Sequence, residues 1–183
     1  MNSLEAIRAV IIELEKQDIE YLLVGAFACN LYAVPRSTND ADFVVTLPQP
    51  DIVKFTKSLG DDFKLDPQMM MEIFTGSVRH VLCYSPTDFE IELFQATQDP
   101  HHLEQWQRKV KASIAEIDCK AWVPTAEDVV IQKLRWARRK DLDDVVNLLV
   151  VSGDKLDWSY IDDWATKHET TQQLKQLRLE AGV

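Results

Sequence analysis

Glycine is scarce in this 183-residue chain, with five residues against seven prolines, which excludes collagen-like and low-complexity architectures. Cysteine is scarcer still. Cys29, Cys83 and Cys119 are odd in number, far apart and free of C-x-x-C spacing, so neither a disulfide framework nor a zinc knuckle is indicated, and a reducing, cytoplasmic setting fits. The four histidines show no H-x-x-x-H spacing and are assigned no site. Long uncharged runs are absent, and Glu5, Arg8, Glu13 and Glu15 interrupt the first apolar pattern, so no signal peptide, membrane span or membrane partner is expected. Positive charge is also in deficit: 20 Lys and Arg against 30 Asp and Glu give a net charge of −10, which repels nucleic acid and anionic lipid over most of the surface.

What is present is enough apolar material, 46% of residues, to bury a core without covalent staples. Residues 1–123 carry 11 cations and 19 anions, whereas residues 124–183 carry nine and 11. Ser3 is placed to cap a helix with apolar Leu4, Ile7, Val10, Ile11 and Leu14. Tyr21–Val24 reads as a buried strand, Ala26–Ala33 as a helix stopped by Pro35, and Phe43–Leu47 as a second strand. A helix over Asp51–Leu59 ends at Gly60. Arg79–Tyr84 and Phe89–Phe94 read as paired strands, His101–Val110 as a helix, and Ile114–Ile117 with Lys120–Val123 as a hairpin. After Pro124, helix patterns cover Ala126–Arg139, Leu142–Val151, Ser159–Lys167 and Thr171–Glu180. The expected architecture is an α/β (α+β) domain over 1–123, with a C-terminal helical region, 124–183, packed on it.

Carboxylates dominate the candidate chemistry. Asp40 and Asp42 stand two apart at the head of a strand, so both side chains share a face, ~7 Å apart along it. A hard divalent cation between them would offset their repulsion; a turn cap and an exposed edge residue are the structural alternatives. In Asp88-Phe89-Glu90-Ile91-Glu92-Leu93, alternation sends Glu90 and Glu92 to one face, where either becomes a third acidic ligand if the two strands are neighbours. A solvent-facing acidic sheet is the alternative. Gly25, between a strand and a helix, would let a phosphate approach the backbone, or simply make a tight turn. Lys133 projects from the apolar stripe of its helix and needs a partner, either a triphosphate or a carboxylate, unless it snorkels. It belongs to the one dense basic patch, Lys133, Arg135, Arg138, Arg139 and Lys140, which otherwise reads as a solvated helix face. Asp141 is expected as an N-cap and Asp144 as a support for Lys133.

In combination, Val24-Gly25-Ala26-Phe27-Ala28, then Pro35-Arg36-Ser37-Thr38-Asn39-Asp40-Ala41-Asp42, then an acidic residue in a later strand resembles the DNA polymerase β-type nucleotidyltransferase superfamily. More specifically, these segments, with Pro124–Leu134 and Arg138–Asp144, are similar to the minimal nucleotidyltransferases of the AbiEii-toxin-like group. The resemblance implies a mixed nucleotidyltransferase-type sheet with flanking helices. It implies two Mg²⁺ ions, or Mn²⁺, held by Asp40, Asp42 and Glu92. Gly25, Ala26, Arg36, Thr38 and Lys133 would bind a nucleoside triphosphate such as ATP. The chain departs from the family pattern at Ala26, where Gly or Ser is usual, and at Glu92, where Asp is common. The implied reaction moves a nucleoside monophosphate to a hydroxyl on an RNA 3′ end, a protein side chain or a small molecule, which would suit the toxin of a toxin–antitoxin pair with an antitoxin protein as partner. The alternative is a catalytically weak or inactive regulator that binds a partner. Underlying all of this is the expectation that three acids converge so closely that only a divalent ion makes their proximity tolerable.

Overall fold

Apolar residues spaced by three and four drive the first helix. In a computed structural model, which describes residues 2–72 and 75–183, α1 (Ser3–Lys16) buries Ala6, Ile7, Val10, Ile11 and Leu14. Its cap is Asn2 rather than Ser3: the Asn2 side chain accepts from the Glu5 amide, and the Glu5 carboxylate accepts from the Asn2 amide at 2.7 Å. Such a box needs a Glu three residues after the cap, a spacing that Asn2 satisfies and Ser3 does not. The Ser3 hydroxyl instead meets that of Thr87 at 2.9 Å.

The chain continues through β1 (Tyr21–Leu23), the five-residue α2 (Gly25–Cys29), β2 (Asp40–Val45), α3 (Gln49–Ser58), β3 (Phe63–Leu65), β4 (Met70–Met71), β5 (Val78–Tyr84) and β6 (Phe89–Gln95). One mixed sheet has the order β1-β2-β6-β5-β3, with β4 also paired to β5. Its strand pairs are antiparallel except β2 with β6, which run parallel. The second expected strand, Phe43–Leu47, thus begins three residues earlier, because pairing with β6 starts at Asp40 opposite Glu90. The expected helix over Ala26–Ala33 is shorter, its end tightening into turns in which the Tyr32 and Ala33 amides both bond to the Cys29 carbonyl.

Next come α4 (Pro100–Arg108), capped by Asp99, and a hairpin of β7 (Val110–Ile114) and β8 (Cys119–Val123). Here the expected first strand, Ile114–Ile117, is displaced: Ala115–Ile117 form a 3₁₀ turn closed by Asp118 at φ 46°. Four helices follow: α5 (Ala126–Trp136), α6 (Arg139–Ser152), α7 (Trp158–Lys167) and α8 (Thr171–Ala181). The break between α5 and α6 falls at Ala137, in the left-handed region at φ 53°. Among the described residues, no helix is long and apolar enough to cross a membrane.

One core joins α1, the sheet and the hairpin, from Ala6 to Val123. A second gathers Val129, Val130, Leu134, Val145, Leu148 and Leu149 with helices α7 and α8, and it draws in Ala28 and Cys29 from α2. The short helix that begins at Gly25 is therefore clamped between the sheet and the helical layer. Between α4, α5 and α7, Asp128 is fully buried and accepts hydrogen bonds from Tyr160 (2.7 Å) and Thr125 (2.8 Å), with His101 Nε2 at 3.2 Å. His168 packs its ring edge-on against His101 at 5.6 Å.

Burial drives the imidazoles of His102 and His168 down from the ordinary value of 6.5, His168 to about 4. Between those limits the unfolded chain takes up protons that the folded chain resists, so stability rises with pH across this window. The advantage of His168→Asn over wild type in urea midpoint should therefore grow as both are acidified from pH 7 to pH 5, and a difference that stays constant with pH would contradict the burial of the His168 ring.

Candidate active site

Two-residue periodicity and a parallel register bring the acids together. Asp42 on β2 stands opposite Glu92 on β6, and Asp40 opposite exposed Glu90, so side chains at paired positions share a face. Burial, then the neighbouring charges of Asp40 and Glu92 and a hydrogen bond with Glu92, push the Asp42 carboxyl up to about 7. Asp40 accepts a hydrogen bond from the Thr38 hydroxyl. Glu92 is paired with Arg79 of β5 at 2.6 Å. Without any ion, Arg79 pairs with one of these carboxylates, and the raised affinity of Asp42 for a proton relieves another. Nothing in the chain's local patterning singles out Arg79. The signal available was a cation in a strand expected to pair with the acidic one.

Gly25 is explained by Asp42 itself. Its φ is +61°, and a Cβ added there would lie 1.9 Å from Asp42 Oδ2 and 2.8 Å from its Cγ. A carboxylate of the same chain thus lies against the Gly25 Cα, where a side chain would stand. Ala26 follows at the start of α2, 5% exposed.

Lys133 and Arg36 lead elsewhere. The Lys133 ammonium is buried against Asp144 at 2.7 Å and Asp141 at 3.4 Å. Arg36 donates to both oxygens of Asp144, at 2.7 and 2.9 Å, and Arg138 holds Asp141 at 2.6 Å. Burial alone would raise the Asp144 carboxyl, yet Arg36 and Lys133 hold it below its ordinary value. The expected support of Lys133 by Asp144 is present. Asp141 is not the helix N-cap; that position belongs to Arg138, and Asp141 sits inside the first turn of α6 as an ion-pair partner. Arg36 and Thr38 border neither of the two hollows at Asp42.

The first of those hollows is an open cleft of roughly 1090 Å³, lined by Asp40, Asp42 and Glu92 with the cations Arg79, Arg138 and Lys140. A second, of roughly 650 Å³, runs from Gly25 and Val44 to Phe94, Gln132 and Trp136. As the side chains stand, no three His, Cys, Asp or Glu residues among the described residues are disposed to hold one metal ion. Replacing Gly25 by Ala should force Asp42 aside and strain the backbone at a left-handed position, lowering stability by roughly 1–3 kcal/mol. Chemical denaturation measures this, and an unchanged midpoint would remove the steric reason for the glycine.

Among solved structures, the fold is similar to that of ANT(2″)-Ia in complex with adenylyl-2″-tobramycin, with TM-score 0.61 and 13% identity over 93% of this chain and 98% of that one. It is similar to the lincomycin-bound lincosamide antibiotic adenylyltransferase LnuA, with TM-score 0.53 and 13% identity over 81% and 96% of the two chains. It also resembles an antigenic nucleotidyltransferase-like protein from Paracoccidioides brasiliensis, with TM-score 0.51 and 19% identity over 80% and 75%. At these identities the likeness is one of fold. No curated protein matches the chain in sequence. The family model described as "Nucleotidyltransferase of unknown function (DUF6036)" matches residues 2–181, and the chain belongs to that nucleotidyltransferase family.

Proposed function

We propose that the chain transfers a nucleoside monophosphate from a nucleoside triphosphate to a hydroxyl acceptor, with Mg²⁺ at Asp40, Asp42 and Glu92. The observation that carries this reading is the parallel register of β2 and β6, which sets Asp42 opposite Glu92 with Asp40 two residues away, beside Gly25 and open to a cleft. The donor set suits a hard cation, since all three groups offer carboxylate oxygen, and burial, followed by the neighbouring charges of Asp40 and Glu92, raises the Asp42 carboxyl. Mn²⁺ satisfies the same chemistry. Asp40 and Asp42 would supply the first ligands, and Glu92 the third once it leaves Arg79. When bound, the metal would offset charge on the phosphates and acidify the acceptor hydroxyl.

The remaining chemistry falls to the chain. The acceptor oxygen attacks the α-phosphorus, the bond from that phosphorus to the β-phosphate oxygen breaks, and pyrophosphate departs. Glu92, once released from Arg79, would use the oxygen not turned to the metal to take the hydroxyl proton. Gly25 and Ala26, at the head of α2, would receive triphosphate oxygens.

The acceptor we favour is a small hydroxylated molecule. Two proteins of similar fold were solved with adenylyl-2″-tobramycin and with lincomycin, and the basic segment 133–140 is largely engaged in internal ion pairs, leaving little to track an RNA backbone. Transfer to an RNA 3′ end or a protein hydroxyl, and with it an AbiEii-like toxin role opposed by an antitoxin, is the competing outcome. The Arg79–Glu92 pair also favours a second reading, a nucleotide-binding regulator without turnover.

In a thermal-shift panel of the four nucleoside triphosphates, Mg²⁺ with the preferred one should raise the wild-type melting temperature by several degrees, corresponding to about 2.7 kcal/mol at a hundredfold excess over Kd. Asp42→Asn should lose this response, yet melt at or above wild type without metal at pH 8 because like-charge repulsion is relieved. Labelled triphosphate offered to aminoglycosides, RNA and lysate protein then identifies the acceptor. A wild type that responds to none of the four triphosphates overturns the transferase reading, and binding without transfer favours the regulator.

A further inference from the structure

The five cations between residues 133 and 140 do not form one surface. Lys133 is buried on Asp141 and Asp144. Arg135 pairs with Asp99, the cap of α4, at 2.8 Å. Arg138 is bound to Asp141, with its guanidinium 4.6 Å from the centre of the Trp136 ring. Arg139 lines a separate groove between α6 and α8. Lys140 differs from all of these: it is exposed, borders the cleft that holds Asp40, Asp42 and Glu92, and makes no ion pair among the described residues.

A triphosphate entering that cleft brings several negative charges against three carboxylates, and the other cations at its wall stand engaged by carboxylates of the chain: Arg138 by Asp141 and, until Glu92 turns to a metal, Arg79 by Glu92. Lys133 lines the neighbouring hollow beside Gly25, but its charge is already shared between two buried carboxylates, and drawing it toward a phosphate would weaken their compensation. Lys140 has no ion pair to abandon, its charge reaching Asp42 without direct contact, and its long, flexible stem lets the ammonium follow a phosphate as a point charge.

We propose that Lys140, in place of Lys133, is the cation that binds the triphosphate, while Lys133 is a structural ion that fastens α5 to α6. This rests on the reading of the cleft as a nucleotide site and adds the residue on which affinity for the phosphates depends. Lys140 acts by charge at the rim, so its contribution is screened by salt.

The test compares wild type, Lys140→Gln, Lys140→Arg and Lys133→Met, titrating each with Mg²⁺ and the nucleoside triphosphate that stabilises wild type most. Lys140→Gln should melt close to wild type without ligand, because the exposed side chain has no ion pair to lose. It should bind the triphosphate about tenfold or more weakly, with a shallower dependence on salt, and Lys140→Arg should recover most of the loss. Lys133→Met should melt earlier without ligand yet, at temperatures where it is folded, bind the triphosphate within a few-fold of wild type. Lys140→Gln binding as tightly as wild type overturns the proposal and leaves the nucleotide site standing. Wild type that binds no triphosphate overturns both.

Discussion

The parallel pairing of β2 with β6 is the constraint on which the rest depends. It is the sheet's single parallel pair among the described residues, and it aligns Asp40 with Glu90 and Asp42 with Glu92 over six consecutive partners. A slip of one residue would turn one strand's acids to the opposite face. The same segment fixes α2: the Val24 amide bonds to the Asp42 carbonyl at 2.8 Å, while the Asp42 carboxylate occupies the space a Gly25 side chain would need. One residue therefore anchors the turn by its backbone and forbids a side chain there by its own.

Charge compensation separates the two sides of the cleft. On the helical side, Asp141 and Asp144 share Lys133, Arg138 and Arg36, so two buried anions meet three cations. Removing any one partner would leave a buried charge exposed to the low local dielectric, which makes this network a fastening between α5, α6 and the segment after α2. On the sheet side, Arg79 serves Glu92 and Asp40 accepts from the Thr38 hydroxyl, whereas neither Asp40 nor Asp42 makes an ion pair among the described residues, and the charges of Arg36, Arg138 and Lys140 reach them only at longer range. The Asp42 carboxyl responds by holding a proton more tightly. An arrangement selected for stability alone has no reason to keep this imbalance at the centre of a sheet, whereas an external cation would remove it.

The alternation of Phe89, Ile91 and Leu93 with Glu90 and Glu92 was legible because period two is a local property, whereas the adjacency of the two acidic strands stood only as a condition until the register supplied it. The start of β2 was not legible, since its first ladder partner lies some fifty residues away at Glu90. β3 and β4, three and two residues long, are too short to show any period and owe their conformation to β5. Lys133 was correctly singled out by its place in an apolar stripe, and its support by Asp144 was foreseen. Its second partner, Asp141, was read as a helix cap because sequence alone does not say where α5 stops, and Ala137 adopts the left-handed conformation that stops it without being glycine or asparagine. Arg79 stayed unread for a related reason: its relation to Glu92 is diagonal across two strands, and only the register reveals it.

A run of cations in sequence is not a positive surface in space. The left-handed break at Ala137 redirects the chain between Arg135 and Arg138, so five charges within eight residues point to a buried network, the cap of a neighbouring helix, an aromatic face, a remote groove and the acidic cleft. On a protein of net charge −10, this dispersal leaves no broad field to draw a polyanion in from solution. Capture of an anionic ligand must then be local and late, made by the few groups that border the cleft rather than by long-range attraction. Such a site favours a compact anion, whose charge is concentrated where those groups stand, over an extended one that needs a continuous basic track.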